Sequence, residues 1–326
     1  MHSIIANGSI GKLVFPSLST FTPKCKDVVL VSKIMEKDHA IDEFEIGQAI
    51  IKQVEQKESG DSLSDSFRFG VYGLHLNRLV TSAPITRSQQ RKWNLRVQNS
   101  PDLVNIDPNA YLIDMEKADG DVHRMLERCR PPNLFAMLLA LRNVVIGLPK
   151  MHDAGFYHFD IKPANLLYFG SMKNPHTVKI CDFGLARHSA ELDFWTAPAL
   201  CIPWHNFPPW ASYIALFVLK GSESDLEKKE QAIVSFFQRP ESERFSCVDS
   251  SLYMCFQVDM EPFCRNPVLL FNAIDMYGLA MCLDRVYHLA PPRVQALISY
   301  FCTAAVLCSL NDDDVLCRWD EILHAF

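Results

Sequence analysis

The chain has 326 residues, 48% of them hydrophobic and 21% charged, which supplies apolar surface for one large core or a tight pair of lobes and excludes a globally disordered chain. Its 32 basic and 38 acidic residues leave a formal net charge of −6, so no global field draws it onto nucleic acid or an anionic membrane, and neither is expected as a partner. No apolar run reaches the roughly 18 residues of a membrane span, residues 1–8 lack the pattern of a secretory signal, and 11 scattered cysteines without a CxxC pair read as reduced thiols. A soluble protein of the cytoplasm or nucleus is the expectation.

Ile4-Ile5, Lys12 to Phe15 and Val28 to Met35 are rich in strand formers and punctuated by Gly8, Gly11, Pro16 and Pro23, which predicts a small sheet. Asp42 to Val54 then places Phe44, Ile46, Ala49, Ile50 and Val54 near one helical face. Phe67 to Leu76 and Ala110 to Met115 read as further strands, the second ahead of an Asp119-Gly120-Asp121 turn. From Leu134 the period becomes helical: Met137, Leu138, Leu141, Val144, Val145 and Leu148 share a side of a long helix that ends before Asp153-Ala154-Gly155. Two short strand-like runs, Asn165 to Phe169 and Val178 to Cys181, flank a turn-rich Gly170 to Thr177. Helical patterns return near Tyr213 to Lys220, Leu226 to Gln238, Leu269 to Val286 and Pro292 to Leu310. Between Asn77 and Pro101 lie Arg78, Arg87, Arg91, Lys92 and Arg96 with no acid, either a solvated inserted loop or a docking or nucleic-acid patch.

Two segments carry chemistry: His158-Phe159-Asp160-Ile161-Lys162-Pro163-Ala164-Asn165, and Asp182-Phe183-Gly184-Leu185-Ala186-Arg187. Together they resemble the protein kinase superfamily, whose catalytic loop reads HRDxKxxN and whose metal loop begins DFG. The resemblance implies a bilobal α+β fold with a small β-rich N-lobe and a larger, mainly helical C-lobe. It implies Asp160 as the carboxylate that takes or orients the substrate hydroxyl proton, and Lys162 as the cation beside the transferring phosphate. Asn165 and Asp182 offer the hard oxygens that suit Mg²⁺ on ATP, with ATP and Mg²⁺ the implied cosubstrate and cofactor. Lysine at 162 resembles the serine/threonine kinases, whose partners are protein substrates.

The N-terminal part matches less cleanly. Ala6-Asn7-Gly8-Ser9-Ile10-Gly11-Lys12-Leu13, with Ile5 before it, is similar to the GxGxxGxV phosphate loop with alanine at the first glycine. Lys33 in Val29-Leu30-Val31-Ser32-Lys33-Ile34 resembles the family's strand lysine, with Glu45 as its expected helix partner and Glu43 as the rival. Met115-Glu116-Lys117-Ala118-Asp119-Gly120-Asp121 is similar to the family's hinge, so the backbone at Glu116 and Ala118 would meet adenine and Asp121 the ribose. Asp275-Met276-Tyr277-Gly278-Leu279-Ala280 resembles the helix whose buried aspartate braces the catalytic loop.

The alignment divides the chain into an N-lobe over 1–117, with an insertion near 77–109, and a C-lobe over 118–326, with an insertion near 211–270. Its departures are Phe159 for the HRD arginine and an APE motif reduced to Phe207-Pro208-Pro209 or Ala197-Pro198-Ala199. In this divergence the chain resembles kinases encoded by large DNA viruses, which would place it in a host cell. Arg318 is left without its family partner and is expected either exposed or paired with an acid from the long insertion. An active kinase is the first expectation. A pseudokinase that binds nucleotide or scaffolds is the second.

Overall fold

The computed structural model describes residues 3–7, 11–15, 29–59, 83–84, 86–88, 110–190, 245–249, 261–266 and 268–326. The described residues form two units, the first running to Ala118 and including Asp182–Gly184, the second holding Asp119–Cys181 and everything from Leu185 on. The first is β-rich and the second mainly helical, a mixed α+β architecture. The expected strand at Phe67 to Leu76, the helices at Tyr213 to Lys220 and Leu226 to Gln238, both candidate APE segments and most of Arg78 to Arg96 lie outside the described residues.

In the first unit, β1 (Ser3–Asn7) and β2 (Gly11–Phe15) pair antiparallel, with Asn7 opposite Lys12 and a bulge between Ile4 and Ala6. β2 pairs with β3 (Leu30–Met35), and β3 with β5 (Tyr111–Glu116). A two-residue strand that the sequence did not suggest, β4 (Ala83–Pro84), closes the outer side of β5; its proline is tolerated because the strand lies at an edge. Val31, Met35, Ala40, Ile113 and Met115 form the core, with Leu13, Phe15, Phe44 and Tyr111 against it. Ala40 and Phe44 come from α1 (Lys37–Ser59), longer at both ends than the apolar spacing suggests.

In the second unit, β8 (Leu166–Ser171) and β9 (Asn174–Ile180) form a hairpin whose turn is only Met172 and Lys173. The segment expected to be a turn, Gly170 to Thr177, is therefore largely strand. Gly170, at φ 101°, supplies the bend beside a register shift after Phe169. β6 (Gly120–Asp121) adds to β8 and leads into α2 (Val122–Arg128), while β7 (Phe156–Tyr157) pairs with β10 (Arg187–His188).

α3 (Pro131–Asp153) starts on proline, whose missing N–H costs nothing there, and buries Leu134, Met137, Leu138, Leu141, Val144, Val145 and Leu148. By length and composition it could cross a membrane; more than half of its most apolar stretch is packed inside the protein. After the short α4 (Glu261–Arg265), α5 (Val268–Asp284) is buried on all sides, as befits a central helix. α6 (Pro292–Val306) packs on it, and α7 (Asp312–His324) packs on α3 and α6. The Trp319 indole N–H donates to the Leu138 carbonyl at 3.1 Å, and Arg142 grips Asp320 through two bonds of 2.6 and 2.8 Å, joining α7 to α3. Most acids of the insertion that could pair with Arg318 lie outside the described residues. Arg318 is half-buried over the Tyr300 ring, 4.5 Å from the centroid, with Asp314 one turn back at 3.9 Å.

Candidate active site

Lys33 lies mid-strand on β3, between Leu13 and Ile113 of its neighbours, with 13% of its side chain exposed. Its ammonium donates to Glu43 Oε2 at 2.7 Å and to Asp182 Oδ1 at 2.9 Å. Burial alone would push this ammonium toward the neutral form, but the two carboxylates outweigh it and hold its pKa above the ordinary lysine value. Burial pushes the Glu43 carboxyl up, Lys33 pulls it back, and Asp182 adds to the rise. Glu43 Oε1 is buried without a hydrogen-bond partner, and Asp182 holds its place with a left-handed backbone at φ 68°.

The expectation for Glu45 is corrected here: Glu45 is exposed and the partner is Glu43. On α1 the buried positions are Ala40, Glu43, Gly47, Ile50 and Val54, a strict three-and-four spacing that includes Glu43 and turns Glu45 about 200° away. Of the phosphate-loop candidates, Ile5, Ala6 and Asn7 belong to β1 and Gly11, Lys12 and Leu13 to β2; Gly8, Ser9 and Ile10 lie outside the described residues. Glu116 ends β5 opposite Leu30, the Lys117 amide donates to the Val29 carbonyl at 2.8 Å, and Ala118 closes the first unit.

The second unit carries the other cluster. Lys162 Nζ reaches both Asp160 oxygens, at 2.9 and 2.7 Å, and Asn165 Nδ2 donates to Asp160 Oδ2 at 2.7 Å and to the Asp160 carbonyl at 2.9 Å. Pro163–Asn165 is a single 3₁₀ turn, started by proline, that brings the three side chains to one point. The loop before it is pinned from below. Asp275 of α5 accepts the amides of His158 at 2.7 Å and Phe159 at 2.8 Å, which secures Phe159 at φ 60°. His158 Nε2 donates to the Cys181 carbonyl at 3.0 Å, so Nδ1 is free to accept the Asp160 amide at 3.2 Å.

Two features of this base, His152 and Gly278, were not singled out from the sequence. His152, fully enclosed, bridges Asp275 at 3.0 Å and Asp312 at 2.8 Å. Burial disfavours its charged form, yet the two carboxylates prevail and raise its pKa to about 9. Gly278 brings α5 against the catalytic loop so closely that a Cβ there would stand 2.1 Å from the Ile161 carbonyl oxygen. Phe159, far from projecting as an arginine would, is buried against Phe271, ring centroids 5.3 Å apart at 85°. Asp121 caps α2 by accepting the Arg124 amide at 2.8 Å. Among the described residues no group of three or more His, Cys, Asp or Glu is arranged to hold a metal ion. The side-chain oxygen of Asn165, by contrast, accepts none of the described hydrogen bonds while its nitrogen is spent on Asp160, which fits a hard-cation ligand.

Residues 98–199 match the model of the protein kinase domain. That span contains Asp160, Lys162, Asn165 and Asp182 but not Lys33 or Glu43. The chain is 32% identical over 148 residues to the serine/threonine-protein kinase chk-1 of Caenorhabditis elegans, covering 40% of this chain and 28% of that protein. It is 35% identical over 100 residues to mitogen-activated protein kinase 1 of Oryza sativa subsp. japonica, covering 31% and 24%. To the serine/threonine-protein kinase pkn3 of Myxococcus xanthus it is 33% identical over 100 residues, covering 30% and 18%. The matched segments thus span under a third of each relative's length.

Proposed function

We propose that this chain, whose residues 98–199 match the protein kinase domain, is an active serine/threonine kinase that transfers the γ-phosphate of ATP to a protein hydroxyl. One observation carries the reading: Asp160, Lys162 and Asn165 form a single bonded cluster on a loop whose backbone Asp275 holds. A carboxylate fixed in this way takes the hydroxyl proton as the substrate oxygen attacks phosphorus. Lys162, already beside it, supplies positive charge where the phosphoryl group passes. Lys33, held by Glu43, orients the nucleotide phosphates, and Asn165 and Asp182 are the ligands for Mg²⁺. When held there, such an ion would supply positive charge to the phosphate oxygens. The backbone of Glu116 and Ala118 meets the adenine and Asp121 the ribose.

A nucleotide-binding pseudokinase is the competing reading, favoured by Ala6 at the first glycine position. The two are separated by measuring phosphate incorporation into generic protein substrates with Mg-ATP. Transfer is expected, and Asp160→Asn should lower it by roughly 10² to 10⁴ while leaving ATP affinity nearly unchanged. Mg-ATP binding with no transfer by the unaltered chain would establish the pseudokinase instead.

A further inference from the structure

The second unit carries a cavity of about 210 Å³ between α2 and the turn that follows α5. Its floor is apolar, made of Leu126, Cys129 and Leu289, the first two buried. Its rim is cationic or imidazole-bearing: His123 and Arg130 on one wall, Arg285 and His288 on the other. The single acid, Glu127, is engaged with His123 at 3.3 Å. Among the described residues Arg130 donates only to the carbonyl of its neighbour Cys129, at 2.7 Å, and Arg285 has no carboxylate partner. The nearest acid in sequence, Asp284, is occupied by the Ser246 hydroxyl at 2.9 Å and the Cys247 amide at 3.1 Å. Among the described residues, therefore, two guanidiniums line one cavity with no anion assigned to them.

Size and position restrict what that anion is. At about 210 Å³ the cavity is smaller than the roughly 300 Å³ at which small-molecule sites begin, so it suits one side chain or one phosphate group rather than a nucleotide. Both walls support the catalytic loop: α2 and α5 each pack on the Pro163–Asn165 turn, and α5 holds the His158 and Phe159 amides through Asp275.

We propose that this cavity is a substrate-selecting subsite in which Arg130 and Arg285 bind an anionic side chain, a carboxylate or a phosphate ester, a few residues from the hydroxyl that is phosphorylated. The assignment rests on the kinase reading above and adds the class of sequence chosen. A guanidinium pair can meet either anion through two-pronged hydrogen bonds, and apolar floor atoms beneath it lower the local dielectric and strengthen the contact.

The test uses the full chain and three peptide families around one serine: neutral flanks, Asp/Glu flanks, and phosphoserine flanks. Wild-type protein should phosphorylate one of the anionic families with kcat/KM about tenfold above the neutral one, and the better of the two identifies the source of the anion. The double variant Arg130→Glu/Arg285→Glu should erase that ratio and favour peptides with Lys/Arg flanks, a gain that misfolding cannot produce. Equal rates on all families, or an anionic preference untouched by the reversal, would overturn the subsite. Fluorescence anisotropy with the labelled anionic peptides measures binding independently of catalysis. If no peptide is phosphorylated, loss of anionic-peptide binding in the double variant still supports the subsite while the kinase reading fails, and absence of binding by wild type refutes it.

Discussion

The two clusters of the candidate site are built on different physics. The Lys33–Glu43–Asp182 group is joined by ionic bonds: Lys33 meets both carboxylates, one Glu43 oxygen is left unsatisfied, and Asp182 retains 40% side-chain exposure. The Asp160–Lys162–Asn165 group is the top of a bonded stack. It descends through Asp275 to His152, and from there through Asp312 to Asn272, which donates to Asp312 at 2.7 Å, so that α3, α5 and α7 all hold the loop. Charge sets the first arrangement and shape with buried hydrogen bonds sets the second. Substitutions that alter volume should therefore separate the two regions, as should substitutions that alter only charge.

The largest effect is expected from volume. In Gly278→Ala the new methyl meets the Ile161 carbonyl oxygen at 2.1 Å and its carbonyl carbon at 2.8 Å. Backbone cannot rotate aside, so α5 or the catalytic loop must shift, at a cost of about 3 kcal/mol or more. Gly184→Ala is the matching change beside the ionic cluster, where the nearest atoms, Asp182 Oδ1 and Glu43 Oε2, stand at an ordinary 3.8 Å; less than about 1 kcal/mol is expected. Denaturant unfolding of both variants checks the pair, and equal losses would dissolve the distinction between a region set by shape and one set by charge.

The same contrast explains what the sequence made legible. Asp160, Lys162, Asn165 and Asp182 sit in short contiguous motifs, so their grouping follows from local chain geometry, and the β-then-helical order follows from hydrophobic period. Glu43 was harder because its burial depends on the whole stripe from Ala40 to Val54, legible only by counting back from Val54 in threes and fours. His152 and Gly278 act through residues more than a hundred positions away, Asp275 and Ile161, and spacing carries no such information. α2 was missed because its 7 residues are too few to establish a period, although Asp121 as N-cap was a usable signal.

A pH change probes the base of the stack without a mutation. The His152 pKa, about 9 folded against about 6.5 unfolded, is raised, so the folded state binds the extra proton between these values. Its contribution, about 3 kcal/mol, is complete below pH 6.5 and is lost as pH climbs through 9. Denaturant midpoints measured from pH 6 to pH 9.5 should fall across that window, and His152→Gln should flatten this part of the profile even though it lowers stability throughout. A wild-type profile that stays level from pH 6.5 to 9 would show that His152 is not held as a cation.

The smallest expected effect tests the ionic cluster by charge at constant volume. Glu43→Gln keeps the shape of the helix face but removes the anion 2.7 Å from Lys33, leaving Asp182 as the only carboxylate on that ammonium among the described residues. Lys33 is then drawn toward Asp182 alone, and two groups meant for different partners neutralise each other. The kcat/KM for ATP should fall roughly 10- to 100-fold, mainly through KM, since the lysine is misplaced rather than lost. Glu45→Gln carries out the same chemical change two residues along, on an exposed side chain, and should remain within about twofold of wild type because a solvated carboxylate contributes little to a buried ammonium. Aligning Lys33 by charge requires the two variants to differ. If they behave alike, the lysine is positioned by the strand that carries it, and the ionic cluster becomes a consequence of the fold rather than a part of the chemistry.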